Sequence, residues 1–226
     1  MTRGGDARTD EQTMKKALIV QGDCPCHPSR TIADILAEQL WASDFEIEMT
    51  HTMDCFLDQE KLDQTDLIVM NWHMASITHE QLAPFLAAVK GGTGLAGIHG
   101  YMGDTLRKTD TFRNEHAYEW MIGGQWVAHP GDDGVTYTVR IVDKENPITA
   151  GIQDFTVSTE KYYMHFDPAI HILATTDFDA VAMPIAWTKG YGQGRIFYHS
   201  LGHRPQIVQI PAVLQLTRQG MVWAAR

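Results

Sequence analysis

The chain has 226 residues, of which 44% are hydrophobic and 20% are charged, a composition typical of a water-soluble globular protein. Its 28 acidic and 18 basic side chains give a formal net charge of −10, and no cluster of Lys and Arg offsets it. These values argue against nucleic acid and anionic membranes as partners. No apolar run approaches the roughly 20 residues needed to cross a bilayer.

Polarity along the chain and the number of cysteines predict the bounds of the domain and the cellular compartment of the protein. The N-terminal segment is polar, and no internal stretch resembles a linker. We therefore predict a flexible leader over residues 1–14 and a single domain over residues 15–226. Three cysteines, an odd number, and no secretory signal favour the reducing cytoplasm.

The first elements predict a β-α-β unit. Residues 16–21 form a short β-branched strand, and residues 30–41 form a helix for which Ser29 is a suitable N-cap. Residues 45–49 alternate between apolar and acidic side chains, as a strand with one solvated face does. The apolar face of the helix consists of Ile32, Ile35, Leu36 and Leu40.

The same alternation of strand and helix continues. Residues 66–70 predict a buried strand, and Thr78 caps a helix that runs to Lys90 and is stopped by two glycines. Residues 94–99 form the next strand, and residues 104–122 are helical in parts. Strands that alternate with helices in this way predict a mainly parallel sheet with helices on both faces.

The pattern changes near Val135. Residues 135–142 alternate cleanly, as an antiparallel or edge strand does, and further strands are predicted over residues 155–157, 171–176, 184–187 and 195–199. A closing helix over residues 206–225 is interrupted early by Pro211. We predict an α/β domain of the flavodoxin-like class with a mixed or antiparallel C-terminal extension.

Three of the eleven histidines follow the carboxyl end of a predicted strand: His27, His99 and His203. Ligands of open parallel sheets bind at that edge, and histidine is both a common metal ligand and a group that titrates near neutrality. We therefore expect these three side chains to converge in one crevice.

His99 has the most informative surroundings. It lies between Gly97 and Gly100 at a predicted strand-turn-helix junction, the arrangement of a nucleophile elbow without a Cys or Ser nucleophile. Acyl-enzyme hydrolysis is thus disfavoured. His99 serves as a ligand or an acid/base group on one interpretation. On the other, it is buried beneath the turn and hydrogen-bonded to the backbone.

The remaining candidate residues can be interpreted either as parts of a functional site or as ordinary structural residues. His203 lies on a loop, whereas His199 is expected to pack within a strand. His129 folds over the crevice or lies in a surface loop, and Glu160 and His165 belong to the site or to a polar strand edge. His73 follows the third strand and is a further candidate. A structural zinc site at Cys24 and Cys26 has little support, since no second cysteine pair exists.

Eight stretches in this order resemble the ThuA-like (trehalose utilisation) family, which has a class I glutamine amidotransferase-like fold. They cover roughly residues 16–225: the His27 loop and residues 91–100, 123–130, 146–151, 159–162, 184–187, 192–203 and 223–224. Thr159 stands where the family usually has Asp, so no role is expected of it. The resemblance implies carbohydrate metabolism, with trehalose, related disaccharides or keto-sugars as substrates, but no established reaction.

The leading hypothesis is an enzyme that acts on a sugar or an oxidised sugar. We expect catalysis by His99, His203 and Glu160, one zinc-like divalent metal held by a subset of His27, His99, His129, His165 and His203, and sugar stacking on Tyr101, Trp126, Tyr162 and Trp72. No nucleotide cofactor is expected, and a homo-oligomer is compatible with the sequence. The alternatives are a non-catalytic sugar-binding or regulatory protein and, third, a thiol hydrolase that uses Cys24, Cys26 or Cys55.

Overall fold

The computed structural model describes residues 14–22, 27–104, 106–109, 111 and 113–226. The leader predicted over residues 1–14 thus lies outside the described residues apart from Met14, as do Cys24 and Cys26. No helix in the described ranges is long and apolar enough to span a bilayer.

A nine-stranded sheet dominates the described residues. Its strands are β1 (Lys15–Gln21), β2 (Phe45–Thr50), β3 (Leu67–Asn71), β5 (Gly94–Ile98), β8 (Val135–Ile141), β9 (Phe155–Thr159), β11 (His171–Phe178), β12 (Val181–Tyr191) and β13 (Gly194–His199). They lie in the order β2-β1-β3-β5-β13-β12-β11-β8-β9. The five strands from β2 to β13 pair in parallel, and the remaining four join antiparallel. The predicted parallel sheet with an antiparallel extension is confirmed.

Helices cover both faces of this sheet, as predicted. Successive side chains of a strand point to opposite faces, so each strand contributes to two cores. Ala17 and Ile19 of β1 belong to one buried core with α1 (Ser29–Trp41), α6 (Pro205–Val208) and α7 (Pro211–Ala224). Leu18 and Val20 belong to the other core with α2 (Gln59–Gln64), α3 (His79–Gly91) and α5 (His116–Ile122). A 3₁₀ turn (Met53–Leu57) and α4 (His99–Gly103) complete the helices of the described residues.

Two small strand pairs lie outside the main sheet. β4 (Ser76–Ile77) pairs in parallel with β6 (Arg107–Lys108), and β7 (Gly124–Ala128) pairs antiparallel with β10 (Tyr163–Phe166). The sequence did not predict β7, since its short Gly-Gln-Trp-Val-Ala segment shows no clear alternation of buried and exposed side chains. The pair β7–β10 matters because it carries a second set of polar side chains towards the site.

The predicted helix ends are partly right. Thr78 caps α3 in a reciprocal capping box with Gln81, and Gly92 follows its last residue. Ser29, however, is not a cap: it is the first helical residue, and its buried hydroxyl has no hydrogen-bond partner among the described residues. Residues 104–122, predicted to be helical in parts, contain α5 (His116–Ile122), and α4 ends before them at Gly103.

His199, predicted as a packed strand residue, is fully buried in β13, and its Nε2 lies 2.8 Å from the hydroxyl oxygen of Thr217. Burial, together with nearby His99, lowers the pKa of His199 to about 3. Between this value and the ordinary value of about 6.5, the unfolded chain binds a proton that the folded chain does not. The free energy of unfolding therefore falls as the pH drops through this window.

We predict that His199→Gln removes this contribution. The slope of the unfolding free energy between about pH 4 and pH 6 should decrease by up to about 1.4 kcal/mol per pH unit, measured by urea denaturation at several pH values. The control is His79→Gln, which replaces an exposed histidine at the start of α3 and should keep the parental slope. An unchanged slope in His199→Gln would contradict the prediction.

Candidate functional site

Four histidines follow the carboxyl ends of four parallel strands: His27 after β1, His73 after β3, His99 after β5 and His203 after β13. The register explains why they meet. Gln21 at the end of β1 is paired with Asn71 at the end of β3, and Ile98 at the end of β5 is paired with His199. The strand ends are thus level, and the segments that follow them start from the same edge of the sheet.

His99 occupies a sharp turn, as the glycine pattern predicted. Its φ of +49° lies in the left-handed region, which residues other than glycine seldom adopt. Its Nδ1 lies 2.9 Å from the carbonyl oxygen of Ser200 and must donate the hydrogen bond, since a carbonyl only accepts. The two interpretations of His99 therefore combine: the ring is buried and bonded to backbone, and its Nε2 is left to contact the polar side chains around it.

Glu160 lies at the centre of the polar cluster and comes from the segment between β9 and β10. Its Oε2 is 3.3 Å from Nε2 of His99, and its Oε1 is 3.2 Å from Nδ1 of His203 and 3.8 Å from Nε2 of His129. Burial alone raises the pKa of Glu160, but hydrogen bonding to His99 and the positive charge that these imidazoles carry when protonated outweigh it and lower the pKa to about 2. Glu160 is therefore a carboxylate at neutral pH.

His27 completes the cluster, with its Nε2 3.3 Å from Nε2 of His99. Burial and the neighbouring imidazoles lower the pKa of His27 to about 3, and burial also lowers that of His203. Both rings are therefore neutral near pH 7 and retain a lone pair, which is the form that binds metals.

The ligand atoms of His27, His99, Glu160 and His203 all lie within 4.8 Å of one another. Four ligands about 2.0–2.1 Å from a tetrahedral ion are separated by roughly 3.4 Å. The closest pairs here, at 3.2 and 3.3 Å, match that spacing. Nδ1 of His203 is also buried and makes no hydrogen bond among the described residues. The donor set therefore fits a divalent metal of the zinc type.

Three residues of this cluster, His27, Glu160 and His203, line a crevice of about 330 Å³, within the size range of small-molecule sites, and His99 is buried behind them. Trp126 and Tyr162, both predicted to stack on a sugar, line it with their ring centroids 6.2 Å apart. The Tyr162 hydroxyl donates to Nε2 of His99 at 2.9 Å, and burial keeps the Tyr162 pKa well above its ordinary value, so the hydroxyl remains a donor.

The other predicted residues lie at different distances from the crevice. His129 lies on its wall, 29% exposed, beside Trp126 and Tyr162. Tyr101 is buried beneath the cluster, with its ring centroid 5.4 Å from that of His27. Trp72 is not part of the crevice lining and packs against Gly22. The structure does not bring His165 to the cluster: its side chain is exposed on β10.

Sequence reasoning missed three residues of the crevice lining, Met74, Asp104 and Arg107. Asp104 lies directly after α4, and its Oδ2 is 2.8 Å from Nε2 of His73. No spacing pattern links His73 with Asp104 or Arg107, so only the return of the chain past the elbow brings them together. Cys55, one of the cysteines of the thiol-hydrolase alternative, is buried outside this lining, and burial raises its pKa to about 12.

Comparison with known proteins now decides the family. The sequence profile of the ThuA family, described as trehalose utilisation, matches residues 16–224. The chain belongs to the ThuA family. The resemblance predicted from the eight sequence stretches is thereby confirmed. No curated protein matches the chain in sequence.

Solved structures show the same ThuA fold. A ThuA-like protein from Parabacteroides merdae is 19% identical, with a TM-score of 0.74 over 94% of this chain and 90% of the other. A second, from Bacteroides uniformis, is 15% identical, with a TM-score of 0.77 over 98% and 95% of the two chains. A β-galactosidase from Rahnella sp. R3 is 17% identical, with a TM-score of 0.62 over 94% of this chain but only 30% of the enzyme. At these identities the likeness concerns the fold alone.

At Gly100 of the ThuA site, a larger residue would collide with neighbouring side chains. A Cβ at this position would lie 2.7 Å from Cδ2 of His73 and 3.2 Å from the Tyr162 hydroxyl. We expect Gly100→Ala to displace the His73 ring, shift its NMR signals and cost about 1 kcal/mol of stability.

Gly91→Ala is the matched control, since a Cβ there meets nothing within 4 Å. It should leave the histidine signals unchanged and the melting temperature equal or slightly higher, because alanine favours a helix more than glycine does. Identical histidine spectra for Gly100→Ala and the parent would show that the glycine is not needed for this packing.

Proposed function

We propose that this ThuA family protein is a metal-assisted enzyme acting on a carbohydrate, with trehalose, a related disaccharide or a keto-sugar as the substrate class. The observation that carries the proposal is the convergence of three imidazoles and one carboxylate in a crevice with aromatic walls. The family's description supports the substrate class. The odd cysteine count supports a cytoplasmic location.

The ligands proposed for the metal are His27, His99, His203 and Glu160. A divalent ion there would supply Lewis acidity towards a carbonyl or hydroxyl oxygen of the sugar. The hydrogen bond from Nδ1 of His99 to Ser200 fixes the tautomer that leaves Nε2 available, as carbonyl partners of metal-binding histidines do. The carboxylate of Glu160 provides the negative charge that balances a bound cation.

Other side chains are suited to bind the sugar and to move protons. The Trp126 and Tyr162 rings offer apolar faces to a pyranose, and the Trp126 indole nitrogen is a buried donor without an acceptor among the described residues. His129 lies 3.8 Å from Glu160 and is more exposed than the proposed ligands His99 and His203, so it can exchange protons between substrate and solvent. Asp104 orients His73 through their 2.8 Å contact.

The metal is tested by ion content and affinity. We expect the purified protein to bind about one zinc or manganese ion per chain, measured by elemental analysis and titration calorimetry. Glu160→Gln keeps the shape but removes the charge. It should weaken binding by at least about 100-fold, beyond the 10–100-fold typical of a lost outer-shell partner.

His165→Gln is the matched control, because this histidine lies on the strand that follows Glu160 but is exposed. It should bind the ion as the parent does. Absence of a bound ion in the parent after addition of zinc, manganese or nickel would eliminate the metal-assisted mechanism.

Catalysis is tested separately with His99→Asn, since asparagine tolerates the left-handed backbone better than most residues. We expect turnover of disaccharides or their keto derivatives to fall by at least about 100-fold, while circular dichroism and the cooperative melting transition are retained. His165→Asn should leave turnover unchanged. Sugar binding by the parent without turnover of any substrate would instead identify a non-catalytic sugar-binding protein.

A further inference from the structure

One guanidinium in the crevice, that of Arg107, has no carboxylate partner among the described residues. Arg107 lies in β6 and lines the crevice near Met74 and Asp104, with a half-buried side chain. Its position is set by the backbone, since its N–H donates to the carbonyl oxygen of Ala75. Among the described residues, no carboxylate oxygen lies within ion-pair distance of its guanidinium.

The carboxylates of the same crevice are already engaged. Asp104 is 2.8 Å from His73, and Glu160 faces the imidazoles of His99 and His203. Four other arginines of the described residues form ion pairs: Arg30–Asp34, Arg140–Asp177, Arg204–Asp133 and Arg226–Asp66. Those four arginines are exposed, whereas Arg107 is half-buried in the crevice and forms no ion pair with a described residue. A guanidinium in that position has donors available for a ligand.

We propose that the substrate carries an anionic oxygen group, a carboxylate or a phosphate, which Arg107 binds while the sugar ring contacts Trp126 and Tyr162. The inference rests on the proposed function, because both use the same crevice. The planar guanidinium presents parallel N–H donors that match two oxygens of either group. Arg107 then selects the substrate, whereas the cluster around Glu160 carries the chemistry.

The test compares three ligands of the same ring: glucose, glucuronate and glucose 6-phosphate. Affinities are measured by calorimetry on the intact protein as purified and again after zinc addition. We expect at least one of the two anions to bind the parent at least about 10-fold more tightly than glucose, and the preferred anion identifies the group. In Arg107→Gln this preference should disappear, while affinity for glucose stays within about twofold.

Two further variants sharpen the assignment. Arg107→Lys should retain a part of a phosphate preference but little of a carboxylate preference, since an ammonium lacks the paired donors. Arg113→Gln removes the same charge from an exposed position a few residues away and should keep the full preference. A preference that survives in Arg107→Gln would place the anion on the His–Glu cluster and overturn the proposal.

Failure of this inference is distinguishable from failure of the proposed function. Metal content and sugar turnover are measured on the same samples. Equal affinity for all three ligands, or no binding of any, overturns the role of Arg107 even where metal and turnover are present. Loss of metal and turnover from the parent, with an Arg107-dependent anion preference retained, overturns the enzyme and leaves an acidic-sugar binding site.

Discussion

The site depends on one hydrogen bond at the edge of the sheet, from Nδ1 of His99 to the carbonyl oxygen of Ser200. Parallel pairing of β5 with β13 brings the two segments together, and the left-handed turn at His99 aims the ring between them. The Tyr198 hydroxyl also donates to the His99 carbonyl oxygen at 3.1 Å. With its backbone and one ring nitrogen held, His99 keeps only Nε2 free for other contacts, and His27, Glu160 and Tyr162 are arranged around that atom.

The electrostatics of the His–Glu cluster distinguish it from ordinary buried polar side chains. Neutral imidazoles and a carboxylate are packed with their acceptor atoms directed at each other, and burial keeps His27 uncharged. Buried polar atoms normally have partners, because leaving one unsatisfied costs about 1–3 kcal/mol. Nδ1 of His203 nevertheless makes no hydrogen bond among the described residues, although Oε1 of Glu160 lies 3.2 Å from it. A cation bound between these groups would satisfy them together.

The sequence predicted much of this site for a physical reason. Parallel strands deliver their following residues to one edge, so His27, His99 and His203 could be grouped from strand ends alone. The glycines around His99 likewise predicted the elbow, since tight turns need small neighbours. Glu160 and His165 show the limit of that reasoning. Glu160 was predicted as a catalytic residue and His165 as a possible metal ligand of the same polar segment, yet only Glu160 reaches the cluster, and His165 is exposed on β10.

The sequence by itself determined the strands of the main sheet, most of the long helices and the edge of the sheet where chemistry is expected. Those features depend on periodicity and local turn chemistry, which act over a few residues. The family followed separately, from the resemblance of eight sequence stretches. Only the tertiary structure decided which side chains meet. Glu160, Trp126 and His129 arrive through the β7–β10 pair, and Asp104 and Arg107 arrive after the chain turns back past the elbow. Such contacts depend on long-range packing and strand register, which leave no local pattern in the chain.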